Sequence, residues 1–256
     1  MSPRRSDSCL ILFKALPHRS SNYFETVCCA GIGQDGKWRR LYPVPYRILT
    51  DNQKFRRWDW ISYDFIDPVQ DLRRESQKVI PESIQFVRNA AKSARFKSVQ
   101  AAIRYSLEDA LARKESLTLI QPRSIEFRWR KKTNAQLQAE SEKHKALSQQ
   151  ASFFDQDAKP FGLCPYTFYV FWIDVNGKPH RHTCDDWETS TAFFVRRNKL
   201  QSDIEALQSL KATYERDYMA KGLVLGFSTH SRRVGQWLLV AIIRVDIDTT
   251  KDLFAY

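Results

Sequence analysis

The sequence predicts an α+β protein. Two small antiparallel or mixed sheets, barrel-like or PUA-like in arrangement, are expected around a helical middle segment. Three observations carry this: strand-like runs open and close the chain, helical spacing dominates its centre, and strands, helices and strands follow one another in blocks and do not alternate. An apolar fraction of 43% over 256 residues is enough to bury a core without disulfides or metals.

Taken in order, residues 9–16 (CLILFKAL) read as a buried strand behind a basic end. The apolar run is short and broken by Lys14, so it reads as a first strand and not as a signal peptide. Residues 17–22 read as a loop. Residues 25–32 and 38–44 are strands around Asp35-Gly36, a two-residue hairpin signature. Pro43 and Pro45 stop the pairing. Residues 55–66 (FRRWDWISYDFI) carry bulky side chains on both faces, as a central strand does, with Arg56 and Arg57 at its entrance.

From 76 to 119 the spacing of Ile84, Val87, Ala91 and Ala94, then of Val99, Ile103, Leu107 and Leu111, predicts helices. Residues 123–132 alternate Ile125, Phe127 and Trp129 with Glu126, Arg128 and Arg130, the pattern of a half-buried strand with a charged outer face. Residues 133–158 are polar and Gln-rich, and read as an exposed helix or excursion. The aromatic and β-branched run 166–175 meets Asn176-Gly177, a strong hairpin signal. A helix over 202–219 and strands at 223–227 and 237–247 complete the chain. The regions are then 1–75, strand-rich; 76–122, helical; and 123–256, α+β with the excursion at 133–158. One compact domain could hold all three.

The net charge of +12 is the strongest global signal and points to a polyanionic partner. Basic residues cluster beside aromatics, where guanidinium groups can grip phosphates and rings can stack on bases. The expected nucleic-acid-binding set is Trp38, Arg39, Arg40, Arg47, Arg56, Arg57, Arg128, Arg130, Arg232 and Arg233, with Trp58 or Trp129 as further stacking candidates. The five cysteines form no disulfide-like spacing and no C-x-x-C pair, which favours a reducing cytoplasm. No apolar run is long enough to span a membrane. Glycine-rich phosphate loops and the common hydrolase and metalloprotease motifs are absent from the sequence.

A rival function comes from the return arm of the 166–188 hairpin. In an extended strand His180, His182, Cys184, Asp186 and Glu188 share one face. His180, Asp186 and Glu188 would then serve a metal-assisted nuclease or base-processing hydrolase, with a divalent metal as its cofactor. Against this, Asp185-Asp186-Trp187-Glu188 also reads as a helix start, where the carboxylates would cap. A third alternative is a scaffold for an acidic protein partner.

The stretches ETVCCAGIGQDGKWRRLYPVPYR, HRHTCDDWE and LVLGFSTHSRRVGQW together resemble an uncharacterised family of small prokaryotic proteins of defence-island or mobile-element type. The matching positions are Glu25, Cys28, Trp38, Arg40, Tyr42, Pro43, His180, Asp186, Trp187, Glu188, Gly226 and Trp237. Members often carry a cysteine pair before the histidine, which this chain lacks. The resemblance implies no catalytic assignment. The leading expectation is a cytoplasmic nucleic-acid-binding protein, with a subunit of a larger defence or nucleic-acid-processing assembly as one form it could take.

Overall fold

Leu10, Ile11, Leu12 and Phe13 give strand β1 (Arg5–Lys14) an apolar run buried on both faces, and two layers are built outwards from it. The computed structural model describes residues 3–15, 27–46, 49–151, 163–230 and 233–247, and its architecture is α+β. The loop expected at 17–22 lies outside the described residues, as do 152–158 of the polar excursion.

β1 pairs antiparallel with β2 (Val27–Gly33) on one side and with β4 (Asp59–Ile66) on the other. β2 turns into β3 (Trp38–Val44) at Gly36, whose φ of +75° the Asp-Gly turn requires. β5 (Ser76–Asn89) pairs antiparallel with β4 and parallel with β3, closing a five-stranded barrel in the order β1-β2-β3-β5-β4. Ile11, Cys29, Leu41, Ile61 and Tyr63 are among the side chains that fill the barrel.

β5 corrects the expectation that the chain turns helical from Ser76. Its apolar residues recur at helix-like intervals because the strand is irregular. Ser62 faces Gln85 and Asp64 faces Ile80, so the stretch between them bulges. Pro81 sits in that bulge, where no ladder donor is required, and the amide of Asp64 donates to Ser83 Oγ at 2.8 Å. The helices that do form here, α1 (Arg95–Val99) and α2 (Leu107–Ala112), are short.

The second sheet runs β12-β11-β7-β6, with β6 (Ile103–Arg104), β7 (Leu117–Ile120), β11 (Leu223–His230) and β12 (Arg233–Arg244). Leu10, Leu12 and Phe13 leave the barrel to pack on it against Val224, Val240 and Ile243. Gly226 admits the Phe13 ring: a Cβ there would lie 2.3 Å from Phe13 Cε1. Gly226→Ala is therefore expected to destabilise the protein by about 2 kcal/mol through overpacking of this seam. A lower urea midpoint in equilibrium unfolding would show it.

The third sheet has the order β10-β9-β8, with β8 (Ser124–Lys131), β9 (Tyr166–Ile173) and β10 (Pro179–Thr183). Its inner face, with Phe127, Phe168, Val170 and Trp172, packs in one core with Phe193 of α4 (Trp187–Leu200) and Leu210 of α5 (Asp203–Ala212). A π-helical turn, Thr213–Tyr218, prolongs α5 and adds Tyr214 to this core. Glu215 accepts from the Phe127 amide at 2.6 Å, so a side chain covers part of the β8 edge. α3 (Asn134–Ala151), polar as the sequence predicts, follows β8. Among the described residues no helix is long and apolar enough to cross a membrane.

Candidate nucleic-acid interface

Strand alternation gives the third sheet a second, outward face. On β9 the residues between the buried Phe168, Val170 and Trp172 are Thr167, Tyr169, Phe171 and Ile173, which are partly or fully exposed. On β8 the outward set is Ser124, Glu126, Arg128 and Arg130; on β10 it is Pro179, Arg181 and Thr183. The register puts Arg128 opposite Tyr169, Arg130 opposite Thr167, and Arg181 opposite Phe171. Two aromatic rings on the central strand are thus flanked by arginines from both neighbours.

The guanidinium groups lean diagonally onto the rings. Arg128 lies 4.3 Å from the Phe171 centroid; Arg181 lies 4.9 Å from that of Tyr169 and 5.6 Å from that of Phe171. Such exposed cation–π contacts contribute about 0.5–1 kcal/mol each, weak enough to exchange for a ligand. Glu126 holds Arg128 through two hydrogen bonds of 2.6 and 2.7 Å, leaving three arginines against one carboxylate on this face.

Most of the other described residues expected to bind nucleic acid lie elsewhere. Arg40 is buried and donates to Ser228 Oγ at 2.9 Å and to Ser116 Oγ at 2.8 Å, tying the barrel to the second sheet. Burial, with Arg73 nearby, works against its charge, and Glu75 offsets part of that. Arg57 also points inwards. Arg39 pairs with Asp7 at 2.6 Å and Asp35 at 3.1 Å beside a shallow depression lined also by Ser6, Ser8 and Gln34. Arg56 is exposed at the barrel turn, away from the two rings in sequence and sheet. Trp38, Trp58 and Trp129 all pack against cores. Arg47, Arg232 and the side chain of Arg233 lie outside the described residues. Of the expected set, Arg128 and Arg130 share the outer face of the third sheet.

Sequence reasoning missed Tyr169, Phe171 and Arg181. Every residue of YTFYVFWI is bulky or β-branched, so the run carries no inside-outside signal of its own. The signal was indirect: the clean alternation of β8 fixes which face of its neighbour is outward, once the pairing is known.

His180, Asp186 and Glu188 fall into two separate settings. The strand ends at Thr183 and the helix starts at Trp187, so the extended face that would align them is broken. The His180 ring stacks on Trp172 at 4.1 Å and its Nε2 lies 3.1 Å from Asp174 Oδ2. Asp174 also accepts from the amides of Asn176 and Lys178, which shapes the hairpin turn. Burial works against the Asp174 charge, but these bonds hold its carboxyl below the usual range. Beside it, Trp172 Nε1 donates to His182 Nδ1 at 3.1 Å. That bond fits a neutral His182, and burial pushes its pKa down to about 4.

Asp186 is the N-cap of α4 and is 1% exposed. Its Oδ1 accepts from Arg57 at 2.8 Å and from the Glu188 amide at 3.1 Å; its Oδ2 accepts from the Ile242 amide at 3.2 Å and from Thr189 Oγ1 at 3.1 Å. Burial raises the Asp186 pKa, with Arg57 pulling the other way. Burial also disfavours the charge on Arg57, but Asp186 and Glu188 outweigh it and keep the guanidinium protonated. Glu188 pairs with the buried Lys14 at 2.8 Å. Burial works against its charge, yet Arg57 and Lys14 hold its carboxyl below the ordinary glutamate value. Among the described residues no group of three or more His, Cys, Asp or Glu is arranged to hold a metal ion.

Residues 5–104, the barrel and the first short helices, match the model of a domain of unknown function (DUF8758). Residues 97–254, which hold the remaining two sheets, match that of a second domain of unknown function (DUF8757). No curated protein matches the chain.

Proposed function

The chain belongs to the DUF8757 family, whose matched region contains the whole third sheet, and from that premise we propose that it is a nucleic-acid-binding protein whose contact surface is the outer face of β8, β9 and β10. One observation carries the reading: Arg128 and Arg181 converge from two strands on the half-buried, outward-facing rings of a third. Arginine supplies bidentate phosphate contacts, aromatic faces accept bases, and the net charge of +12 favours approach of a polyanion. Arg130 extends the cationic row along β8.

The hydrolase alternative has weaker support. Asp186 is saturated by four donors, and Glu188 and His180 are each engaged by a neighbour, so none of them stands ready as a base. Cysteine usage favours a cytoplasmic setting, the sequence resemblance adds an association with prokaryotic defence islands or mobile elements, and a subunit of a defence or processing assembly is the context that fits both. A protein partner belongs to that context, and the nucleic-acid surface does not depend on it.

The test is binding as a function of salt. Affinity for an oligonucleotide is expected to fall linearly with salt on logarithmic axes. The triple variant Arg128→Ala, Arg130→Ala, Arg181→Ala should bind about tenfold more weakly at moderate salt, with a slope shallower by about 2 for a single strand. A triple variant that binds with unchanged affinity and slope would place the contact surface elsewhere.

A further inference from the structure

We propose that this face takes single-stranded nucleic acid, with unpaired bases stacking on Tyr169 and Phe171 and the arginines moving to the phosphates; this rests on the nucleic-acid reading above. Tyr169 and Phe171 are the two outward rings of β9, and two residues along a strand is about 6.8 Å. That separation gives each ring its own base, with Ile173, 37% exposed, continuing the apolar row.

The present contacts of the rings are interim ones. Arg128 and Arg181 occupy ring faces that a base would cover. When a base takes that place, the guanidinium swings to the adjoining phosphate, where a charge-assisted bond replaces the cation–π contact. Ring and guanidinium are therefore both satisfied again in the complex, although Arg128 exchanges its two hydrogen bonds to Glu126 for the phosphate. The flanking positions also suit a strand lying across the sheet, because Arg128 and Arg130 line one side of the ring row and Arg181 the other.

A duplex fits this surface poorly. Its bases are stacked inside and present only edges in the grooves. Among the described residues this three-stranded face with half-buried rings offers no projecting element to enter a groove, whereas unpaired bases can splay out and stack on aromatic side chains. Unpaired bases are common to RNA and DNA, and the experiment below includes both.

The experiment uses the full chain and labelled oligonucleotides of one mixed sequence, as single-stranded RNA, single-stranded DNA and the duplex of each, at two salt concentrations. At least one single strand is expected to bind at least tenfold more tightly than its duplex. This ordering opposes simple charge, since a duplex has the higher charge density and releases more counterions per contact. Whether RNA, DNA or both bind identifies the source. In the variant Tyr169→Leu with Phe171→Leu, which keeps apolar bulk on the strand, single-strand affinity should drop at least tenfold with the salt slope unchanged. Tyr169→Phe, which keeps the ring face, should bind as wild type does.

Duplex binding as tight as single-strand binding would overturn the stacking inference while leaving the nucleic-acid reading in place. So would a folded leucine double variant with wild-type affinity. If the leucine double variant does not fold, the wild-type comparison of strand and duplex decides by itself. No binding of any oligonucleotide at low salt would overturn the nucleic-acid reading and this inference together.

Discussion

Replacing Arg57 with alanine is expected to lower the unfolding free energy by about 3–5 kcal/mol, the loss typical when one member of a buried ion pair is removed. The urea midpoint should fall at constant slope. Arg57 donates to the carbonyls of Leu12 at 2.9 Å and Ile242 at 2.8 Å, and to Asp186 at 2.8 Å. It thus joins the barrel strand β1, the second-sheet strand β12 and the cap of α4 in one knot. Without it, a carboxylate that is 1% exposed loses its counter-charge. The next residue, Trp58, adopts a φ of +73°, a conformation costly for a bulky side chain. The Trp58 amide donates to Ile11 and its carbonyl accepts from Ala90, so the same seam holds this strain in place. Removing both partners together, as Arg57→Met with Asp186→Asn, should cost less than the sum of the single changes, because no unpaired charge remains. Strictly additive losses would show that the two are not coupled. Were Asp186 a reacting group, Asp186→Asn would abolish turnover with little loss of stability; the structural role calls for a clear loss of stability.

Lowering the pH from 6.5 to 4 is expected to remove up to about 3 kcal/mol of stability through His182 alone. The sign follows from proton counting. In the unfolded chain the imidazole takes up a proton as pH falls through 6.5, but in the fold burial, assisted by the His180 nearby, holds its pKa down to about 4. Between these values the unfolded state binds more protons, so stability rises with pH. It is fully present above 6.5 and lost as the pH drops towards 4. Protonation would also place a second N–H donor against the Trp172 Nε1–H that now points at His182 Nδ1. The measurement is the difference in unfolding free energy between wild type and His182→Gln across this window. Taking the difference isolates His182 from Asp186, whose raised pKa acts with the opposite sign. Parallel curves for the two proteins would remove His182 as the source.

Some of the architecture follows from local chemistry and is legible in the sequence. Asp35-Gly36 and Asn176-Gly177 each turn a hairpin, because the glycines reach φ of +75° and +82° at no steric cost. The alternation over Ser124–Lys131 gives a strand with one charged face. Ser202 and Asp186 cap helices by bonding amides two or three residues ahead, a signal confined to a few positions. From such local signals the α+β class could be read.

Other features are settled only by partners remote in the chain. β5 is a strand because β3 and β4 offer it edges that close a barrel, and the bulge holding Pro81 disguises its period. Arg57 and Arg40 look like the other arginines in the sequence, yet their partners Asp186 and Ser228 lie 129 and 188 residues away. Whether a cation is buried or presented depends on whether such a partner meets it, since an unpaired buried charge is not tolerated. The same holds for aromatics: Trp129 and Phe171 stand on neighbouring strands, one turned to the core and one to solvent. The sequence by itself determined the fold class, the two hairpins and a basic, aromatic-rich composition. Tertiary structure decided which arginines and rings meet on one open face, because face and burial are properties of pairing register and long-range contacts, not of residue type.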